Sequence, residues 1–173
     1  MAASKLAFST CTIGFTLALP LAGCAPQDPV WSLPCDERPA REVQVGTGDE
    51  TFVAADAEYV PIQNGSQGGQ HIWMSVRVRG FGPEASLAYG IVDAMDPAIV
   101  YSGPNQKRTQ LQYDPEEDAS EKAGLYGYVT VRYDPDTQAE LPGPEHKLVT
   151  FWAEVADDCT TDPLRAEAPA TVE

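Results

Sequence analysis

The segment HIWMSVRVR, residues 71–79, gives the clearest indication of how this chain folds. Apolar and polar residues alternate along it, and alternation is typical of a β-strand with one buried face. The apolar row consists of Ile72, Met74, Val76 and Val78, and the opposite row consists of His71, Trp73, Ser75, Arg77 and Arg79. Because the apolar row is unbroken, we expect it to face the core and Trp73 to lie on the outer face.

Similar short extended segments recur along the chain, and no segment has a sustained helical period. They are residues 42–45, 51–54, 59–62, 85–92, 99–101, 109–113, 125–133 and 147–155. In 125–133, alternation places Tyr126 and Tyr128 on the face opposite Leu125. Turns rich in glycine and proline separate the segments. The pattern predicts an all-β, two-sheet antiparallel sandwich of immunoglobulin-like or related topology, with an antiparallel β-barrel as the alternative.

The two ends of the chain differ in composition from this central part. Residues 24–40 carry several prolines and predict a short tether, and residues 41–159 hold the predicted strands. Residues 160–173 are rich in Pro, Ala and Glu, a composition typical of a disordered tail. The sequence therefore predicts one sandwich domain over 41–159, followed by a tail.

The chain is strongly acidic. It has 26 Asp and Glu residues against 11 Lys and Arg, a formal net charge of −15. Such a surface repels phosphate groups, so we expect no nucleic-acid partner. The acidity is consistent with solubility or with cation binding.

The first 28 residues have the organisation of an export signal. A single cation, Lys5, precedes an apolar run that contains no charge until Asp28. A membrane-spanning helix is the alternative, but Pro20 and small residues end the run and no basic cluster follows it. These features favour a signal peptide.

At the end of this run, Leu21-Ala22-Gly23-Cys24 resembles the lipobox of bacterial lipoproteins. The resemblance implies that residues 1–23 are a signal peptide and that the mature chain begins at Cys24. It also implies a diacylglycerol on the Cys24 thiol and an acyl chain, such as palmitate, on the new amino terminus. Several acyl chains hold a protein durably in a membrane. Ala25 stands where the family's inner-membrane retention signal has Asp, which favours the outer membrane in a cell that has one.

The remaining cysteines predict a disulfide. Cys11 lies in the signal and Cys24 carries the lipid, which leaves Cys35 and Cys159. In an oxidising compartment two cysteines most simply form one bond, here between the start and the end of the domain. A redox pair is the alternative, but neither residue belongs to a Cys-x-x-Cys motif.

The segment Gly65 to Trp73 is the most distinctive internal feature. Its Gly-Gly-Gln-His-Ile-Trp part is similar to segments of uncharacterised exported bacterial lipoproteins, a similarity that implies no activity. The outward row of His71, Trp73 and Arg77 has the composition of a recognition surface. In the alternative interpretation, Trp73 packs under a loop. We expect Trp73 on the outer face, partly buried by residues 65–70, with Arg77 nearby.

The sequence contains no familiar catalytic motif, whether a nucleophile elbow, a His-Glu-x-x-His helix or a phosphate-binding glycine loop. Loop carboxylates suited to calcium are Asp114, Glu116, Asp118, Asp134 and Asp136, although no Asp-x-Asp-x-Asp-Gly loop is present. We therefore expect a non-catalytic, lipid-anchored module that binds an envelope protein or a glycan and has no cofactor. A calcium-dependent binding or adhesion module is the alternative.

Overall fold

The computed structural model describes residues 33–55, 59–66 and 68–173, and within these ranges it consists of strands joined by turns. The strands are β1 (Glu42–Thr47), β2 (Val53–Ala54), β3 (Tyr59–Val60), β4 (Gln63–Asn64), β5 (Gln70–Arg79), β6 (Glu84–Asp93), β7 (Val100–Gln110), β8 (Gln112–Asp114), β9 (Ala119–Val129), β10 (Arg132–Tyr133), β11 (Glu140–Leu141), β12 (Leu148–Ala156) and β13 (Leu164–Val172). The predicted signal peptide, the lipobox with Cys24 and the first part of the tether lie outside the described residues. No described residue belongs to a helix with the length and hydropathy needed to cross a membrane.

Two large sheets form the described part of the domain. The first sheet has the order β2-β1-β5-β9-β8, with β4 also paired to β5, and the second has the order β3-β13-β12-β6-β7. Strands β10 and β11 form a separate small sheet. Among the described strands the pairing is antiparallel, apart from the short parallel pair β13–β3. The prediction of an all-β sandwich is confirmed.

The core lies between the inner faces of the two sheets, and the expected register of β5 is confirmed. The apolar row of β5 is completely buried, and so is the alternate row of β12 that faces it. The β12 row consists of Val149, Phe151, Ala153 and Val155. Trp73 lies on the outer face of the first sheet, so the alternation in the sequence was sufficient to orient β5.

The prediction of a disordered tail at 160–173 is wrong. Residues 164–172 form β13, which pairs with β12 over eight residues and carries β3 on its other side. Its apolar positions alternate, and Ala170 and Val172 are completely buried. Pro169 lies outside the stretch that pairs with β3, so its missing N–H group costs no hydrogen bond there. The small side chains give little hydrophobicity per residue, but their period of two fits the sheet.

Two other predicted boundaries are wrong. The sequence predicted separate strands at 99–101 and 109–113, but residues 100–110 form the single strand β7. Gly103-Pro104-Asn105 lies inside it, where the pairing with β6 shifts register beyond Tyr89. Strand β7 is the outermost strand of the second sheet, and an edge strand tolerates a proline at a bulge. Strand β9 begins at Ala119 and ends at Val129, whereas the sequence predicted 125–133.

The predicted disulfide between Cys35 and Cys159 is present, with the two Cα atoms 5.4 Å apart. Polar contacts reinforce it on both sides. The Arg38 guanidinium donates to Asp157 Oδ2 at 2.9 Å, and Arg41 Nη2 donates to the Cys159 carbonyl at 2.6 Å. We call the group Cys35, Arg38, Arg41, Asp157 and Cys159 the clasp. It fastens the arm at residues 33–41 to the turn between β12 and β13.

The clasp defines one end of the sandwich. Asp157 also accepts the Gly82 N–H at 2.7 Å, so the turn from β5 to β6 lies at the clasp. Gly80 is required in this turn because its φ is +72° and a Cβ would lie 2.5 Å from the Pro39 carbonyl oxygen. The first residues of β5, including His71, lie about 25 Å farther along the strand. Strand β5 therefore runs from the far end of the domain towards the clasp.

Candidate functional site

Aromatic side chains gather on the outer face of the first sheet, near the far end. Trp73 of β5 lies opposite Tyr126 of β9, and His71 lies opposite Tyr128. The Trp73 and Tyr126 ring centroids are 4.3 Å apart, and those of Tyr126 and Tyr128 are 5.5 Å apart, with the two tyrosine planes at 12°. We call Trp73, Tyr126 and Tyr128 the aromatic ridge. Cross-strand pairing between β5 and β9 builds it.

The members of the ridge differ in accessibility. Tyr128 is 59% exposed and Tyr126 is 43% exposed, whereas Trp73 is partly buried. His71 is only 8% exposed and packs edge-on against Trp73 at 4.9 Å, and its Nε2 has no hydrogen-bond partner within the described part of the chain. The prediction of His71 as a surface residue is therefore wrong, because the neighbouring rings cover it. His71 therefore packs against Trp73 and Tyr126 and contributes little to the exposed surface.

A small cavity adjoins Trp73. Its volume is about 150 Å³, and the polar residues in its wall are Thr47, Asp49 and Gln63. Thr47 donates its hydroxyl to the Trp73 carbonyl oxygen at 2.8 Å, which fixes the wall to β5. Asp49 and Gln63 are exposed. The cavity therefore has Asp49, whose carboxylate also accepts the Glu50 N–H at 3.0 Å, and Gln63 in the same wall as Trp73.

The loop that partly covers this face is not the one we expected. Residues 48–52, between β1 and β2, approach the outer face of the sheet, and Gly124 N–H donates to the Gly48 carbonyl at 3.1 Å. The glycine-rich stretch instead closes the hairpin from β4 to β5, with Gly65 N–H donating to the Gly69 carbonyl at 3.0 Å. Gly68 and Gly69 have φ values of +81° and +86°, so the glycines of this stretch allow the backbone to form a tight turn.

Arg77 does not belong to an open surface with Trp73, as the sequence had suggested. Its guanidinium makes a 2.6 Å ion pair with Glu121 and a 3.2 Å ion pair with Glu117. It also stacks on the Phe52 ring, with its Cζ 4.5 Å from the ring centroid. The Glu121 carboxylate accepts the Phe52 N–H as well. Arg77 therefore fastens the loop at 48–52 to the sheet, and its guanidinium is already engaged there.

The predicted calcium ligands lie in two separate turns. Asp114 accepts the Glu116 N–H at 2.9 Å, and Asp118 accepts the Tyr113 hydroxyl at 2.8 Å. Asp134 accepts hydrogen bonds from Thr137 and Asp136 in the other turn; those from the backbone and hydroxyl of Thr137 contribute most to lowering its pKa. Across the described ranges, no three His, Cys, Asp or Glu side chains form a group that could hold a metal ion.

A buried polar network lies at the far end of the sandwich. The Tyr101 hydroxyl donates to Asp93 at 2.8 Å and accepts from Lys147 Nζ at 2.9 Å. Burial raises the pKa of Tyr101. The pKa of Asp93 is lowered, mainly by the hydrogen bond from the Met95 N–H and then by the one from the Tyr101 hydroxyl. Because each polar group has its partners within the network, we assign it to stability.

A shallow groove of about 480 Å³ lies over the second sheet, along β6, β7 and β12. Two of the charged side chains that line it, Arg108 and Glu154, are already paired. Arg108 contacts Glu84 at 3.3 Å, and Glu154 contacts Arg165 at 2.9 Å. Although the groove is larger than the cavity beside Trp73, it has no exposed aromatic surface, so the ridge is the stronger candidate for a binding site.

The sequence pattern indicated Trp73 but not the two tyrosines as its partners. A signal was present, since alternation in residues 125–133 already placed Tyr126 and Tyr128 on an outer face. The missing information was the pairing of β9 with β5, which joins residues more than 50 positions apart. Strand pairing of this kind depends on the tertiary fold.

Replacing Trp73 by alanine tests the position of its ring. We expect Trp73→Ala to lower the free energy of unfolding by about 1–2 kcal/mol, since the ring loses contacts with His71 and Tyr126 but is not enclosed in the core. Urea denaturation measures the change. Tyr133→Ala, at a residue as exposed as Tyr128, serves as the control and should change the stability by less than about 0.5 kcal/mol. A loss above about 3 kcal/mol for Trp73→Ala would place the indole in the core.

Comparisons with protein-family models, curated proteins and solved structures found no match to this chain.

Proposed function

We propose that this protein is a non-catalytic binding module of the bacterial cell envelope, anchored through lipid at Cys24. The observation that carries the proposal is the aromatic ridge. The exposed tyrosines stack on one another, and Tyr126 packs against Trp73 at a tilt, so the three rings present a contiguous apolar surface of the kind found at recognition sites. The rings pack against one another, and these contacts reduce the side-chain entropy that is lost on binding.

The position of the clasp supports the lipid anchor as part of this function. Cys24 precedes Cys35 by eleven residues, which span at most about 40 Å when extended. The chain reaches the sandwich at the clasp, whereas the ridge lies towards the other end of β5. An anchor at Cys24 would therefore connect the membrane to the domain at the clasp, at the opposite end of β5 from the ridge.

The acidity of the domain is consistent with this arrangement. Removal of residues 1–23 takes away the basic Lys5 but no acidic residue, so the formal net charge becomes −16. Such a domain is repelled by anionic lipid headgroups. The covalent lipid would therefore supply the attachment, and we propose the outer membrane as its place in a cell that has one.

Substitution of Cys24 tests the anchor. We expect Cys24→Ser to release the protein from the membrane fraction or to leave it unprocessed, because lipid attachment of this type requires the thiol. Fractionation of cells, followed by mass spectrometry of the amino terminus, measures both outcomes. Cys11→Ser is the matched control and should remain membrane-bound. A Cys24→Ser protein that is cleaved and still sediments with membranes would contradict the proposal.

A further inference from the structure

We propose that the aromatic ridge and the adjoining cavity together bind a neutral glycan chain. This inference rests on the proposed binding function and specifies the ligand class of the same site. Sugar rings carry C–H groups on their faces, which pack on aromatic rings, and hydroxyl groups at their edges, which need hydrogen-bond partners. The ridge offers the first kind of contact, and Asp49 and Gln63 in the cavity wall offer the second.

The arrangement fits a chain of sugars better than a single small ligand. Tyr128, Tyr126 and Trp73 follow one another across two strands, and the cavity continues beyond Trp73. A ligand that follows this line meets successive aromatic rings and then polar side chains. We assign the cavity to one sugar unit and the outward surfaces of the two tyrosines to its neighbours along the chain.

The spacing of the rings disfavours an organic cation as the ligand. A quaternary ammonium group binds in a cage in which the rings stand apart and surround it. Here the ring centroids of Trp73 and Tyr126 are 4.3 Å apart, and those of His71 and Tyr126 are 5.2 Å apart. The rings therefore fill the space between one another, and only their outward surfaces are available.

The charges at the site disfavour two other ligand classes. Phosphate-bearing ligands are repelled by a chain of net charge −15. Proline-rich peptides also bind aromatic surfaces through donors to their backbone carbonyls, and the Asp49 carboxylate adds no such donor. Sugar hydroxyls can donate to this carboxylate and also accept from the Gln63 amide. Uncharged sugars with free hydroxyls therefore fit both the net charge and the polar side chains.

The full-length protein, purified in detergent, is titrated calorimetrically with cellotetraose, chitotetraose and maltotetraose. We expect at least one of these neutral tetrasaccharides to bind with a Kd below about 1 mM. Tyr126→Ala, Tyr128→Ala and Asp49→Asn should each weaken binding at least tenfold, because they remove a stacking surface or an acceptor. Tyr133→Ala removes an equally exposed tyrosine from the separate β10–β11 sheet and should leave the Kd unchanged.

Circular dichroism establishes that each variant is folded before titration. The inference is overturned if the folded protein binds none of the three saccharides, or if the ridge variants bind as tightly as the unaltered chain. It is equally overturned if decaproline or tetramethylammonium binds through the ridge in place of a saccharide. Membrane retention of the Cys24→Ser protein bears on the anchor alone, so failure of the glycan inference and failure of the anchoring proposal are distinguishable.

Discussion

Replacing Asp157 by alanine is expected to lower the free energy of unfolding by about 3–5 kcal/mol. The Asp157 side chain is only 1% exposed and makes a 2.9 Å ion pair with Arg38. It also accepts hydrogen bonds from the Gly82 and Cys159 N–H groups and from the Thr160 hydroxyl. Without the carboxylate, these buried donors lose their acceptor, and the Arg38 charge loses the partner that offsets its desolvation.

The same change should alter the dependence of stability on pH. Burial alone raises the pKa of the Asp157 carboxyl, but the hydrogen bonds from Thr160, Gly82 and Cys159 and the charge of Arg41 hold it below its usual value. A lowered folded-state pKa means that the stabilisation is complete above the unfolded value of about 3.9 and is lost as the pH falls through the folded value. The difference between the unaltered protein and Asp157→Ala should therefore shrink below about pH 4.

Asp158 provides a matched control, since it is adjacent in sequence and its side chain is 95% exposed. Asp158→Ala should change stability by less than about 0.5 kcal/mol at any pH. Urea denaturation of the three proteins between pH 3 and pH 7 measures both effects. If Asp157→Ala and Asp158→Ala proved equally stable at pH 7, the clasp would not be a buried polar cluster.

Removal of the disulfide is expected to cost about 5 kcal/mol. Cys35 and Cys159 are 124 positions apart, so the bond closes nearly the whole domain into one loop and strongly restricts the unfolded chain. In the chain-entropy description, a loop of about 100 residues contributes close to 4.7 kcal/mol. The protein with both Cys35→Ala and Cys159→Ala should unfold at a correspondingly lower urea concentration, as should the unaltered protein after reduction.

Agreement between the double variant and the reduced protein is the internal control, because both lack the bond while only one has altered side chains. The slope of the denaturation curve should also change, since a cross-linked unfolded chain is more compact. A loss below about 1 kcal/mol would contradict a strong restriction of the unfolded chain by the disulfide.

The sandwich could be predicted from the sequence where strands are strongly apolar. The register of β5 follows from its alternation alone, and the disulfide follows from the number of cysteines. Strand β13 could not be recognised in the same way. Its inward residues include alanines and its sequence contains Pro169, so composition pointed to disorder, although the period of two was present. Its stability comes from pairing with β12, a contact that local sequence does not specify.

The candidate site was predictable only in part for a related reason. Trp73 could be placed on an outer face, but the partners of its ring lie on β9. Arg77 and His71 lie in the same outward row as Trp73. However, Arg77 is engaged by Glu121 and Phe52, and His71 is covered by aromatic rings. Whether an outward residue is free for binding depends on what the neighbouring strands and loops place beside it.

Co-sedimentation of the full-length protein with insoluble polysaccharide from cell envelopes tests whether the ridge is a binding surface. The protein carrying both Tyr126→Ala and Tyr128→Ala is compared with the unaltered chain and with Tyr133→Ala, all in detergent. We predict that the unaltered protein and Tyr133→Ala sediment with the polysaccharide, while the double variant stays in solution. Equal sedimentation of all three proteins, or sedimentation of none, would contradict a role for the aromatic ridge in binding glycan.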